Sequence, residues 1–356
     1  MRRAWTWLVP AAAVALLVGA ILAGVGPFVA VLCALGLLGA VFAAVHHAEV
    51  VAHRVGEPFG TLVLAVAVTV IEASLILSMM LAGGAHTAVL PRDTLYAAVM
   101  IIANGVVGIC ILLGGVAHRE QTFRVEGAGT GLAALIALSA FSLVLPAFTT
   151  TTPAGTLSGS QLVFVAAASV ALWAIFVFIQ TVRHRDYFIP VADPANPELH
   201  AEPPTVRAAW GSFGLLLVSL VAVVGLAKML SPTIEHAVAA AGAPHAVIGI
   251  VIAMLVLLPE TWAAARAARA NRLQTSMNLA VGSALASIGL TIPVVVVAAI
   301  VFHLPLHLGL DPKGIAMLAV TFLVSAVTLG TGRTNMMQGA VHLVIFAAFL
   351  FLAFVP

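Results

Sequence analysis

Long apolar runs alternate with short charged or Pro/Gly-rich breaks along the whole chain. Eleven such runs lie near residues 6–23, 27–46, 58–82, 94–117, 128–146, 161–182, 209–230, 246–267, 277–301, 314–329 and 337–355. A helix needs roughly 20 apolar residues to cross the hydrocarbon core of a bilayer. Runs this long predict helices rather than barrel strands, because a backbone in lipid must satisfy its own hydrogen bonds. The pattern thus predicts an all-α polytopic membrane protein with about 11 transmembrane helices.

Composition agrees. The chain is 62% hydrophobic and 8% charged, where a soluble domain is about 45–50% apolar and about 25% charged. Cys33 and Cys110 both fall inside apolar runs, which argues against a disulfide framework or a cysteine zinc site. Arg outnumbers Lys and Ala is abundant, a composition that suggests a bacterium with GC-rich DNA. Met1-Arg2-Arg3 before an apolar run is open to reading as a signal peptide; the downstream polarity favours an uncleaved first span.

The net charge of +2 says little about partners, but its placement does. With the N-terminus in the cytoplasm, the cytoplasmic connections hold Arg2, Arg3, Arg54, Arg119, Arg124, Arg183, Arg185, Arg207, Arg266, Arg269, Arg272 and Arg333. The other side holds only Arg92, Lys313 and Lys228. The expected location is a bacterial inner membrane, and the positive-inside rule puts the N-terminus inside and the C-terminus on the opposite side. The expected partners are the lipid bilayer and inorganic cations, with no nucleic acid and the oligomeric state open.

The longest connection, "RHRDYFIPVADPANPELHAEPPTVR", is polar and Pro-rich. It separates five spans from five, once the first span is set aside. The expected organisation is an extra helix (1–24), a first five-helix repeat (25–182), a cytoplasmic loop (183–208) and a second five-helix repeat (209–356). Five is odd, so the halves have opposite topology, the inverted-repeat plan of secondary transporters.

Two acids test the inversion. Glu72 lies in "LAVAVTVIEASLILSMML", the second helix of the first half, and Glu260 in "VIAMLVLLPETWAAARAARA", the second helix of the second. An in-plane two-fold axis would bring them toward each other near mid-depth. An ionised acid at the bilayer centre costs at least ~2.5–3.5 kcal/mol, so such a residue points to function. A protonated, hydrogen-bonded structural Glu is the alternative. Polar oxygens follow in the next helix of each half: Asn104 in "VMIIANGVVGICILLGG", and Asn278, Ser283 and Ser287 in "QTSMNLAVGSALASIGLTIP". Ala103-Asn104-Gly105 aligns on Gly282-Ser283-Ala284, and the glycines here are expected to let helices approach closely. Carboxylate, amide and hydroxyl oxygens are the donors of a hard cation; helix–helix hydrogen bonding is the other reading of Asn104, Asn278 and Ser283. Thr69, one turn before Glu72, is placed either to face the same ion or to bond back to its own helix. Pro259 is expected to break its helix and expose carbonyls.

These stretches resemble a known family. "HHAEVVAHRVGEPFGTLVLAVAVTVIEASLILSMML" is similar to the first α-repeat of calcium/proton antiporters in the cation/calcium exchanger superfamily, above all the bacterial ChaA type. "LLPET" with "RLQTSMNLAVGSALASIGLTIP" is similar to the second. The resemblance implies that Glu72 and Glu260 bind the transported cation and carry protons, with Asn104, Asn278, Ser283 and Thr69 lining the site. Many relatives have a Gly-Asn pair where Val68 and Thr69 stand here, and often a strongly acidic loop that this chain lacks. The resemblance implies Ca²⁺ export against H⁺ by alternating access, with Na⁺ or K⁺ as alternative substrates and no cofactor.

His46, Glu49 and His53 fall on one helical face at the expected cytoplasmic mouth, with His47 and Glu57 close by. They read as solvated interfacial residues or as a proton and cation relay; Glu49 resembles an acid found before the first repeat of the family. The remaining histidines show no pattern. A cation channel with the same acids is the main rival. No HExxH motif and no Asp within a span support an intramembrane enzyme.

Overall fold

The computed structural model describes residues 4–56, 59–82, 85–188 and 204–355. Among these, eleven helices are long and apolar enough to cross a membrane. They are α1 (Ala4–Ala23), α2 (Pro27–Val55), α3 (Phe59–Ala82), α4 (Leu90–His118), α5 (Val125–Ala147), α6 (Gly159–Arg183), α7 (Val206–Ala240), α8 (Ala246–Arg269), α9 (Leu273–Val301), α10 (Pro312–Gly330) and α11 (Met336–Phe354). Each coincides with one apolar run, and the differences are at the ends. α2 continues to Val55, so His46, Glu49 and His53 ride on it. α4 starts early enough to include Arg92 and Asp93 in its first turn.

Local chemistry sets the helix starts. Ser158 and Gln161 form a reciprocal cap on α6, as Asn335 and Gln338 do on α11. The Asp311 carboxylate accepts the Gly314 N–H at 2.6 Å to open α10. α4 carries a π-helical turn over Ile101–Val106, a widening that recurs at functional sites in helices.

The chain forms two compact units. One comprises Met1–Thr87 and Ala195–Ile248, and so holds α1, α2, α3 and α7; the other comprises Ala88–Pro194 and Gly249–Pro356. Each unit draws helices from both sequence halves, so compactness does not follow the expected repeat boundaries. In the first unit α2 packs on α1, α3 and α7. In the second, α9 packs on α4, α5 and α6, and α4 packs on α11. The second unit's core includes the fully buried Met100, Ile111, Leu285, Ile288 and Ile292.

Within the second unit, two loop clasps are related by the inversion. At one end, β1 (Glu120–Thr122) pairs antiparallel with β2 (Arg333–Asn335), Gln121 opposite Thr334, and Phe123 N–H donates to the Gly332 carbonyl at 3.0 Å. This joins the α4–α5 and α10–α11 connections. Elsewhere, Leu308 and Gly309 N–H both donate to the Gly155 carbonyl at 2.9 Å, and Leu310 N–H donates to the Leu143 carbonyl at 2.9 Å. This joins the α9–α10 and α5–α6 connections. Exchanging first-half helices for their second-half counterparts converts one clasp into the other, as inverted repeats require.

Candidate functional site

Glu72 is 3% exposed on α3, among the buried Val68, Ile71, Ala73 and Ile76. Thr69, on the same face one turn earlier, is also buried, and its Oγ1 donates to the Ala65 carbonyl at 2.9 Å. Of the two readings of Thr69, the bond back to its own helix is seen. Glu260 is half-buried on α8. The expected break at Pro259 does not occur; α8 runs unbroken to Arg269. Pro259 has no N–H for the Leu255 carbonyl, but one lost bond costs less in lipid than unwinding a turn and exposing its remaining backbone groups. Thr261, just beyond Glu260, donates its hydroxyl to the Leu257 carbonyl at 2.7 Å. Each acid lies in a different compact unit.

Asn104 is fully buried in the π-helical turn of α4. Its Nδ2 donates to Thr321 Oγ1 on α10 at 2.9 Å, and Thr321 Oγ1 donates in turn to the Met317 carbonyl at 2.8 Å. The sulfur of Met100 lies 4.0 Å from Asn104 Nδ2 and 3.4 Å from Thr321 Oγ1. Asn104 Oδ1 lies 3.2 Å from Nδ1 of His342, a fully buried residue of α11. His342 Nε2 lies 3.1 Å from Thr328 Oγ1. The histidines outside the mouth thus do carry one pattern, which the sequence reading missed: His342 is titratable, mid-span and joined to a predicted site residue. Its signal was a single imidazole inside "GAVHLVIFAAFL".

Asn278 is half-buried near the start of α9. Its Oδ1 accepts from Gln274 Nε2 at 2.9 Å, and its Nδ2 donates to the Phe188 carbonyl at 2.5 Å. Gln274 Oε1 also accepts the Arg124 N–H at 2.6 Å. This amide group ties α9 to the segments after α6 and before α5. Ser283 is half-buried one turn further along. The close-approach expectation holds at Gly108, where an added Cβ would lie 3.0 Å from His342 Cβ. It does not hold at Gly282, where nothing lies within 4 Å.

At the mouth, Glu49 and His53 are exposed on α2, while His46 is half-buried with its ring 5.1 Å from Trp5. Glu57 lies outside the described residues. His47 does something different. It is buried, and its Nε2 lies 2.9 Å from the Thr6 carbonyl of α1. Pro10 lacks the N–H that would bond Thr6 within α1, so the imidazole takes the orphan carbonyl and docks the extra helix. Among the described residues, no group of three or more His, Cys, Asp or Glu side chains forms a metal cluster.

The sequence model of a family described as sodium/calcium exchanger protein matches residues 25–182 and 211–355. The chain is 48% identical over 356 residues to the putative ionic transporter y4hA of Sinorhizobium fredii, covering 99% of this chain and 96% of that one. It is 36% identical over 327 residues to the sodium-potassium/proton antiporter ChaA of Escherichia coli, covering 91% and 88%. Among solved structures, it shares its fold with an H⁺/Ca²⁺ exchanger, CAX, at TM-score 0.75 and 14% identity over 97% of this chain and 87% of that one.

Proposed function

We propose that this chain, which belongs to the sodium/calcium exchanger protein family and to its ChaA type, is a secondary active antiporter that exchanges a metal cation for protons. The observation that carries the reading is Glu72, a 3% exposed carboxyl inside the family-like motif of an apolar helix. An ionised carboxylate buried there is costly. A bound cation or a proton lowers that cost, so the acid favours the two loaded states. Glu260 has the corresponding role in the second half. That mutual exclusion is what couples the two fluxes; the inverted halves then expose the loaded acids to one side at a time.

Asn104, Thr69 and Ser283 line the cation path in this reading. Asn278 braces it, tying α9 to the Phe188 carbonyl after α6 and to Gln274. Glu49, His46 and His53 form the relay at the cytoplasmic mouth, together with Glu57. The protein lies in a bacterial inner membrane with its Arg-rich connections inside, and it catalyses no covalent chemistry. Val68 and Thr69 in place of Gly-Asn, together with the sodium-potassium/proton antiporter named among its relatives, favour Na⁺ and K⁺ as substrates beside Ca²⁺.

Everted membrane vesicles acidified inside, with a pH-sensitive dye, test this. Ca²⁺, Na⁺ and K⁺ added separately should each report whether protons leave in exchange. Loss of that efflux in both Glu72→Gln and Glu260→Gln supports the reading, and unchanged exchange in both removes the acids from it. Cation flux without any proton response identifies a channel instead.

A further inference from the structure

The hydrogen bonds around Asn104 form one consistent chain. Thr321 Oγ1 donates its hydrogen to the Met317 carbonyl, so it can only accept from Asn104, which places the amide nitrogen on that side. The amide oxygen therefore faces His342, and an amide oxygen cannot donate. His342 must carry its hydrogen on Nδ1 to bond it. In the neutral ring Nε2 is then an acceptor, and Thr328 Oγ1–H donates to it. The chain of donors runs from Thr328 through His342 and Asn104 to Thr321 and ends on Met317. Every link joins groups that are fully or nearly fully buried, with no water needed.

We infer that His342 is a positioning residue of the exchange site: its Nδ1–H holds the Asn104 amide in one orientation and so sets the affinity for the transported cation. The π-helical turn gives this its leverage. The turn widens α4 at Asn104, so the side chain depends on α10 and α11 rather than on its own helix for its orientation. Gly108 lets α11 come close at His342, since an added Cβ there would lie 3.0 Å from His342 Cβ. The inference rests on Asn104 belonging to the cation path proposed above.

The chemistry of the two amide side chains separates positioning from packing. Asn at 342 places its amide nitrogen near the position of imidazole Nδ1, whereas Gln places it near Nε2. His342→Asn should keep the bond to Asn104, and His342→Gln should lose it. Apparent KM and Vmax for the most effective cation are measured in everted vesicles for the wild type, both variants, His342→Leu and Asn104→Ala. Leaving a buried amide oxygen unpaired is expected to raise KM about tenfold in His342→Gln and His342→Leu, with Vmax little changed. His342→Asn should stay near the wild type. If the Gln and Leu variants fail to fold in a size-exclusion check, Thr321→Val, which removes the acceptor at the other end of Asn104, should raise KM in the same way. A raised KM in Asn104→Ala with none in His342→Gln overturns the inference and leaves the antiport reading intact. So does equal impairment of His342→Asn and His342→Gln. An unchanged KM in Asn104→Ala removes that residue from the cation path and the inference with it, while a wild type that exchanges no cation overturns both.

Discussion

Gly339 of α11 lies against Leu112 of α4 so closely that a Cβ on the glycine would be 2.5 Å from the Leu112 backbone nitrogen. Backbone cannot yield as a flexible side chain does, and this contact sets how close α11 and α4 come. The same approach lets His342 reach Asn104. Gly339→Ala should therefore destabilise the second unit by about 1–3 kcal/mol, the usual range for overpacking. Gly129→Ala, where nothing lies within 4 Å, is the control and should be neutral or stabilising. Thermal melts of both variants in detergent check this, and a Gly339→Ala protein as stable as the wild type would refute the close packing.

Thr69 separates two uses of one hydroxyl. Its hydrogen already serves the Ala65 carbonyl, an interaction that adds little to helix stability. Thr69→Val keeps the shape and removes the oxygen, so folding should be nearly unaffected. If that oxygen faces the cation at Glu72, apparent KM should rise about tenfold, equivalent to about 1.4 kcal/mol. Thr69→Ser should restore it. Dose–response curves of proton efflux against cation concentration measure both.

The spans were legible because the length of an apolar run is a property of the chain alone. Their ends were less so: Arg92 and Asp93 read as a boundary, yet they fold into the first turn of α4 because Pro91 favours that turn. Asn104 was legible as an amide in an apolar run. Its partners Thr321 and His342, 217 and 238 residues away in sequence, were not. A lone imidazole reads the same whether it faces lipid, solvent or another helix, and only packing decides. Pro259 shows the opposite failure, a local rule overridden because a helix in lipid loses more by unwinding than by one missing bond. The two loop clasps left no trace at all, since a three-residue strand has no period to detect.

Asn278 should behave as a brace. Its amide donates to the Phe188 carbonyl and accepts from Gln274, so Asn278→Ala strands two buried or half-buried partners. The expected loss is about 1–3 kcal/mol of stability, with apparent KM unchanged in the protein that folds. Asn278→Asp keeps the acceptor for Gln274 and loses the donor to Phe188, so it should recover only part of that stability. A raised KM at wild-type stability would instead place Asn278 in the cation path.

The clasp between the α9–α10 and α5–α6 connections should loosen on acidification. His307 N–H donates to the Ala88 carbonyl at 2.9 Å, and its half-buried imidazole sits against Gly155, the residue whose carbonyl holds Leu308 and Gly309. Burial, and then the Arg92 guanidinium, hold this imidazole below the usual histidine range. Arg92 is itself fixed there by Asp93 at 2.8 Å and by the Gly309 carbonyl at 3.2 Å. A histidine with a lowered folded-state pKa takes up more protons when the clasp is open. The stabilisation it gives is therefore complete above pH about 6.5 and is lost as pH falls toward the lowered value. Amide hydrogen exchange at residues 308–310, corrected for intrinsic rates, should accelerate between about pH 7.5 and pH 5.5 in the wild type. In His307→Asn, which has no titratable group, the acceleration should vanish, and its persistence would assign the pH response to another residue.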